Sequence, residues 1–353
     1  MTKHSSWLLL LLCTAASLYG IAMIHTVGGN VLTQSAALLG GVIAAAILAQ
    51  IPYRYAVRYW YLPTAAVLLL MGLTFTSLGY TVPGTDDRNW LYLPLGGAAV
   101  LLQPSELLKI VFILTFSVHL ARVQARLHRL RTLLPVVVHG VLPAALVMAQ
   151  GDDGNAAVLL LLCLALLFAA GVRWRYFLLG GLVAAAAVPV VWARLPADKQ
   201  ARFLCLWDIE AHRHTAGWQQ ELSVTAIGSG QLLGSDRHNG QGLYALHNDF
   251  IFTAVGEQGG FLGAVAALLL LAAILLLLYR CAQHSNDGAG YFLCIGLLAL
   301  IGLQSMINIG MTLRVLPVLG ITLPFFSAGG SSLFTLFCGV GLCLSVARHR
   351  VTA

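Results

Sequence analysis

Five ionisable side chains, Glu106, Lys109, Asp152, Asp249 and Glu257, lie in or beside stretches too apolar to solvate them. At membrane depth such groups are costly and need a partner or a task. The run Gln103-Pro104-Ser105-Glu106-Leu107-Leu108-Lys109 reads as a helix start. Proline suits the first helical position, Glu106 meets the positive end of the helix dipole, and Lys109 follows at a same-face spacing of three. A capped start with a local ion pair accounts for Glu106. A lysine deeper in an apolar helix also carries the charge to meet an anionic lipid headgroup. His247-Asn248-Asp249-Phe250-Ile251-Phe252 opens a second helix, and capping explains one polar residue there. Glu257 falls two turns later near the same face, and two carboxylates exceed what a cap requires. Between Leu316 and Ser332, Pro317, Pro324 and the run Gly329-Gly330-Ser331-Ser332 preclude a plain spanning helix. This stretch reads as a re-entrant or outer-surface loop. Its end, with Ser331, could cradle an anion on backbone N–H groups. His212 and His214 have a metal-binding spacing but no adjacent carboxylate or cysteine cluster to complete a site.

The elements that must position these groups follow from composition. Of 353 residues, 59% are hydrophobic and 9% charged, against about 25% charged in soluble domains. The chain therefore reads as an all-α polytopic membrane protein, and soluble enzymes and nucleic-acid-binding proteins are excluded. Apolar runs near 7–24, 35–51, 61–80, 104–121, 134–149, 155–172, 175–193, 249–279, 288–311 and 330–347 give about ten transmembrane helices in a single integral domain over 1–353. The first run reads as an uncleaved helix rather than a signal peptide. All cysteines but Cys205 lie in apolar segments, so the seven act as small core residues and not as a disulfide framework.

The net charge of +7 is explained by insertion. Arg54, Arg58, Arg122, Arg126, Arg129, Arg131, Arg173, Arg175, Arg280 and Arg348 fall on the side that also holds both termini. Under the positive-inside rule, both termini are then cytoplasmic. The segment 194–248 is the one large excursion on the opposite, outer face, and no nucleotide-binding loop occurs elsewhere. Chemistry is expected at the outer face without cytosolic ATP.

Seven stretches in order resemble the SEDS family of bacterial shape, elongation, division and sporulation proteins. They are Arg88-Asn89-Trp90; Gln103-Pro104-Ser105-Glu106 with Lys109; Gly217-Trp218-Gln219 with Ser223; Ala226-Ile227-Gly228-Ser229-Gly230; Asp249-Phe250-Ile251-Phe252; Asn308-Ile309-Gly310-Met311; and Leu323-Pro324-Phe325. Within the family, Asn308-Ile309-Gly310-Met311 and Leu316-Pro317-Val318 favour the RodA-like, elongation branch, while Gly256 before Glu257 leans towards the other. The resemblance implies a peptidoglycan glycosyltransferase of the bacterial cytoplasmic membrane that polymerises lipid II beside a class B penicillin-binding protein. It makes Asp249 the catalytic carboxylate. Glu106, Lys109, Arg88, Asp152, Gln219, Ser223, Arg202 and Ser331 become substrate-binding residues, with Lys109, Arg88 and Arg202 offsetting pyrophosphate charge. A divalent cation (Mg or Mn) is an expected helper, its ligands unknown.

The pattern is not met everywhere. Tyr244-Ala245-Leu246 stands ahead of His247-Asn248-Asp249 where the family has Leu-Pro-Glu, so that glutamate and proline are absent; a usual glycine is Arg314, and the proline of the family's Gln-Pro-Asp is Gly151. Two alternatives stay open: a non-catalytic scaffold regulating a penicillin-binding protein, which these departures support, and a lipid II flippase.

Overall fold

A bare backbone finds no hydrogen-bonding water in a bilayer, so apolar segments of this length satisfy themselves as helices. The computed structural model describes residues 3–81, 87–95, 98–212, 217–236 and 239–349. The elements are α1 (Lys3–Thr26), α2 (Val31–Leu48), α3 (Tyr53–Arg58), α4 (Tyr61–Leu73), β1 (Gly79–Tyr80), β2 (Trp90–Leu95), β3 (Ala98–Leu102), α5 (Pro104–Val123), α6 (Leu130–Met148) and α7 (Asp153–Ala169). There follow α8 (Trp174–Arg194), α9 (Ala197–Leu204), α10 (Ile209–His212), α11 (Trp218–Ser229), α12 (Ile251–Gln283), α13 (Gly288–Thr312) and α14 (Gly330–Arg348). Each of the ten apolar runs carries a helix. Among the described residues, seven helices are long and apolar enough to cross a membrane: α1, α2, α6, α8, α12, α13 and α14. The shorter α4 and α7 and the more polar α5 complete the ten.

The chain is an all-α polytopic membrane protein. α13 is its hub, packing on α5, α7, α12 and α14. α14 in turn lies along α2, where Gly341 meets the Ala45 backbone so closely that a Cβ would sit 2.7 Å from it. Small residues allow such approach where hydrophobic driving force between helices is absent. α8 differs: none of its residues is buried, the state expected of a helix solvated by lipid on all sides.

Three local expectations are corrected. The run 61–80 does not continue as one helix. α4 has 13 residues, about 20 Å of rise. Thr74 and Thr76 hydroxyls donate back to the Met71 and Leu73 carbonyls, which competes with helix propagation. The chain then enters an antiparallel sheet in the order β1-β2-β3, with Tyr80 opposite Trp90 and Leu91 opposite Leu102. Composition gave no sign of it. The excursion 194–248 is mostly helical, and α11 packs onto α12 and α13.

The third correction concerns α12, which is not continuous. Gly260 has φ 61° and ψ −164°, a region open essentially to glycine alone. The 231–235 segment fills the break: Phe261 and Leu262 donate to the Gln231 and Leu232 carbonyls, and Ser235 donates to the Glu257 carbonyl. A Cβ on Gly260 would stand 2.3 Å from the Gly234 nitrogen. Gly260→Ala is therefore expected to cost on the order of 3 kcal/mol or more. Gly180→Ala on α8, where nothing lies within 4 Å of the added methyl, should be neutral. Thermal unfolding in detergent checks both; equal midpoints for the two variants would refute the kink's role.

Candidate active site

Asp152 stands at the start of α7 and acts as its N-cap, its Oδ1 accepting the Asn155 N–H at 3.0 Å. Its Oδ2 accepts from Asn155 Nδ2 at 2.8 Å, Gln103 Nε2 at 3.0 Å, Ser105 Oγ at 3.3 Å and Asn89 Nδ2 at 3.4 Å. One carboxylate thus gathers the start of α7, the start of α5 and the strand leading into β2. Asn155 extends the network, because its Oδ1 accepts from Lys109 Nζ at 2.9 Å. Lys109 also pairs with Glu106 at 2.8 Å.

Lys109 is 1% exposed and Glu106 4%. The sequence placed both on the substrate's path. In the structure they form a closed, mutually neutralising pair, since a buried lysine keeps its charge only beside a carboxylate and further hydrogen-bond partners. Their role is to fix α5 against α7.

Ser223, also expected to meet substrate, is fully buried. It shares a 2.5 Å hydrogen bond with Thr253 and donates to the Thr312 carbonyl at 2.9 Å. Gln219 is half-buried at the edge of α11. The neighbouring Gln220 does the bracing: its Nε2 donates to the Met311 and Leu316 carbonyls at 2.9 and 2.7 Å. Helical phase alone separates the two glutamines, and the phase of a short helix with no apolar stripe is not readable from sequence. Glu257, the second carboxylate of α12, is buried and accepts the backbone N–H groups of Asn239 and Gly240, so it holds the preceding turn.

Asp249 differs from all of these. It lies in the turn before α12 and its carboxylate is half-buried. Its backbone is fixed by Asn308, whose Nδ2 donates to the Asp249 and Ile321 carbonyls, each at 2.7 Å. The loop 313–329 is stitched onto the same turn. Ser327 Oγ donates to the Asn248 carbonyl at 2.6 Å, and the Ala328 N–H donates to the His247 carbonyl at 2.8 Å. From α2, Gln34 donates to the Ser327 carbonyl and accepts the Gly329 N–H. Among the described residues, the Asp249 carboxylate itself accepts no hydrogen bond. Burial, aided by the negative charge of Asp152, pushes its pKa up to about 6. A carboxylate with open lone pairs, a rigid backbone and a raised pKa is equipped to take up a proton near neutral pH.

Asp152 also acts electrostatically on Asp87, a residue the sequence reading passed over, so Asp87 and Asp249 flank one charged neighbourhood. Lys199 of α9 pairs with Asp153 in the first turn of α7, which ties the excursion to the bundle. Arg88 and Arg202 are exposed; burial raises the pKa of Asp87, and the charge of Arg202 partly offsets it. Ser331 is half-buried in the first turn of α14, its carbonyl accepting the Thr335 hydroxyl. His214 lies outside the described residues. Among those described, no group of three His, Cys, Asp or Glu side chains is arranged to hold a metal ion.

The profile described as "Cell cycle protein", covering FtsW, RodA and SpoVE, matches residues 4–352. The chain is 35% identical over 316 residues to a probable peptidoglycan glycosyltransferase FtsW of Coxiella burnetii, covering 85% of this chain and 82% of that one. It is 31% identical over 362 aligned positions to the peptidoglycan glycosyltransferase MrdB of Escherichia coli K12, covering 98% and 94%. Among solved structures, it superposes with a TM-score of 0.84 and 28% identity on a chain of a peptidoglycan synthase complex described as coordinating polymerization and crosslinking, covering 98% of both chains. The rod shape determining protein RodA of Thermus thermophilus gives a TM-score of 0.70 and 27% identity at the same coverage. A match over nearly the whole length, with the Asp249 turn and its supports in place, makes this chain a member of the FtsW/RodA/SpoVE family of multi-pass bacterial membrane proteins.

Proposed function

We propose that this protein is a peptidoglycan glycosyltransferase that polymerises lipid II into glycan strands at the outer face of the cytoplasmic membrane. The observation that carries the reading is Asp249: a half-buried carboxylate with free lone pairs, clamped through its backbone by Asn308. The relatives named as peptidoglycan glycosyltransferases support the activity. The arginine asymmetry supports cytoplasmic termini and an outer site. The synthase complex among the structural neighbours supports a class B penicillin-binding protein as partner.

In the reaction, the 4-hydroxyl of the acceptor sugar attacks the anomeric carbon of the donor. The bond from that carbon to undecaprenyl pyrophosphate breaks as the new glycosidic bond forms. Asp249 takes the hydroxyl proton, which general-base catalysis values at about 10²–10⁴-fold in rate. The exposed guanidinium groups of Arg88 and Arg202 are free to meet the departing pyrophosphate, as arginine forks match phosphate oxygens. The ammonium of Lys109 is not free to do so. A divalent cation, Mg²⁺ or Mn²⁺, stays part of this proposal as a helper whose ligands are not assigned: among the described residues no three His, Cys, Asp or Glu side chains are grouped to hold one. The proton transfer is assigned to Asp249.

Three measurements test this reading. With purified protein and lipid II, alone and with its cognate penicillin-binding protein, Asp249→Asn should lose the glycan ladder by at least about 10²-fold while remaining folded. Near wild-type polymer from that variant would reject the assignment. The wild-type rate should also depend on pH in a stated direction. A base is active only when deprotonated, so activity falls about tenfold per pH unit below about 6 and levels off above it. A flat profile from pH 5 to 8 would contradict the raised pKa. Lys109→Met leaves Glu106 as an unpaired buried charge and should cost about 3–5 kcal/mol in thermal unfolding. The double variant Glu106→Gln with Lys109→Met should recover part of that loss. If the double variant is no more stable than the single one, the pair is not the unit described.

A further inference from the structure

A second polar cluster lies away from the Asp249 turn, at the arginine-rich end of the bundle. Thr115 and His119, one turn apart on α5, face His139 on α6. His139 is nine residues into its helix, about 14 Å along the axis. An ionisable residue at that depth points to function. Its ring stacks on His119 with centroids 5.2 Å apart, and it meets Phe112 and Phe116 edge-on. Thr115, His119 and His139, with Trp60, Val118 and Arg122, line a cavity of about 160 Å³.

Hydrogen accounting assigns the protons. Thr115 Oγ1 lies 3.2 Å from the Phe112 carbonyl, which can only accept, so the hydroxyl donates there. The Thr115 oxygen is then the acceptor for His139 Nε2–H, also at 3.2 Å. Neutral His139 thus has its lone pair on Nδ1, 3.0 Å from His119 Nδ1, which must carry the proton. The remaining nitrogen, His119 Nε2, is a lone-pair acceptor with no partner among the described residues. The cavity therefore offers an acceptor, His119 Nε2, beside a fixed cation, Arg122.

A metal ion does not suit this pair, because Arg122 repels it and no carboxylate lines the cavity. A purely apolar occupant leaves His119 Nε2 unsatisfied. A phosphodiester anion bearing a hydroxyl on its headgroup satisfies both: phosphate oxygens accept from Arg122, and the hydroxyl donates to His119. The location suits a lipid source. Arg122 lies in the last turn of α5 and Trp60 caps α4, at the end that also carries Arg54, Arg58, Arg126 and Arg129. Tryptophan at the interface and basic side chains around a pocket between helices are the features that hold anionic headgroups. We propose that this cavity binds the headgroup of an anionic, hydroxyl-bearing phospholipid, with phosphatidylglycerol as the defining chemistry, entering from the leaflet at the arginine-rich end.

Native mass spectrometry of the full chain in detergent, with phosphatidylglycerol or phosphatidylcholine added at equal concentration, tests this. The wild type should retain one phosphatidylglycerol in preference to phosphatidylcholine. Arg122→Gln, an exposed position that keeps the fold, should retain it about tenfold less, the loss expected from one charge-assisted pair. His119→Phe, which preserves ring stacking, should also lose the preference for phosphatidylglycerol. A large excess of inorganic phosphate should neither displace the lipid nor raise the unfolding midpoint. Equal retention of the two lipids, or full retention by Arg122→Gln, would overturn the proposal. Stabilisation by inorganic phosphate equal to that by the lipid would also overturn it, by making the cavity a site for free phosphate.

Discussion

Four irregular stretches among the described residues are held by side-chain amides, and the turn that carries Asp249 depends on one of them. A membrane bundle can leave the helix only where something replaces the lost backbone hydrogen bonds. Four amides do so at four breaks. Asn308 bridges the Asp249 and Ile321 carbonyls, and Gln220 bridges the Met311 and Leu316 carbonyls. Gln34 exchanges hydrogen bonds with Ser327 and Gly329, and Gln150 reaches the Met71 carbonyl and the Thr74 hydroxyl. An amide offers two donors and an acceptor without a charge, so it mimics the backbone at a far lower burial cost than an ion.

This explains how a carboxylate can stay open at the centre of the site. Asp152 and Asp249 are both near helix starts, yet their surroundings are opposite. Asp152 collects donors from four side chains and is consumed in structure. Asp249 has its carbonyl clamped by Asn308 while its carboxylate has no donor among the described residues. Bracing through the backbone rather than the side chain preserves basicity, because a hydrogen bond to the charged form would lower the pKa that burial raises. The Glu106–Lys109 pair acts at one remove, locking α5 and α7 so that Asp152 keeps its geometry.

The sequence disclosed the parts of this arrangement that announce themselves by cost. Ten apolar runs, the polar excursion between two of them and each ionisable group could be read from hydropathy and spacing. The sequence did not disclose which ionisable groups were already satisfied. Glu106, Lys109, Ser223 and Glu257 looked like site residues because their partners, Asn155, Thr253, Thr312 and the 239–240 backbone, are distant in sequence or are backbone groups with no sequence signature. The bracing amides were missed for the same reason, and the sheet from Gly79 to Leu102 was hidden because its strands are as apolar as a helix.

The departures from the family pattern fall on backbone rather than on the reacting group. Ala245, in the stretch that lacks the family's Leu-Pro-Glu, adopts φ 57°, and Arg314, where the family has a glycine, adopts φ 59°. A left-handed conformation costs a residue with a Cβ about 1–2 kcal/mol, and strained positions of this kind persist where surrounding contacts over-determine them. Those contacts are present. The Ala245 carbonyl accepts the N–H groups of Asn248 and Phe250, and the Val315 N–H beyond Arg314 donates to the Gly310 carbonyl. The turn that presents Asp249 is thus closed by main-chain hydrogen bonds that do not need the missing glutamate. Its loss leaves Asp249 in place, and the strain at both positions is carried by the same loop-to-turn stitching, through Ser327 and Asn308, that holds that turn.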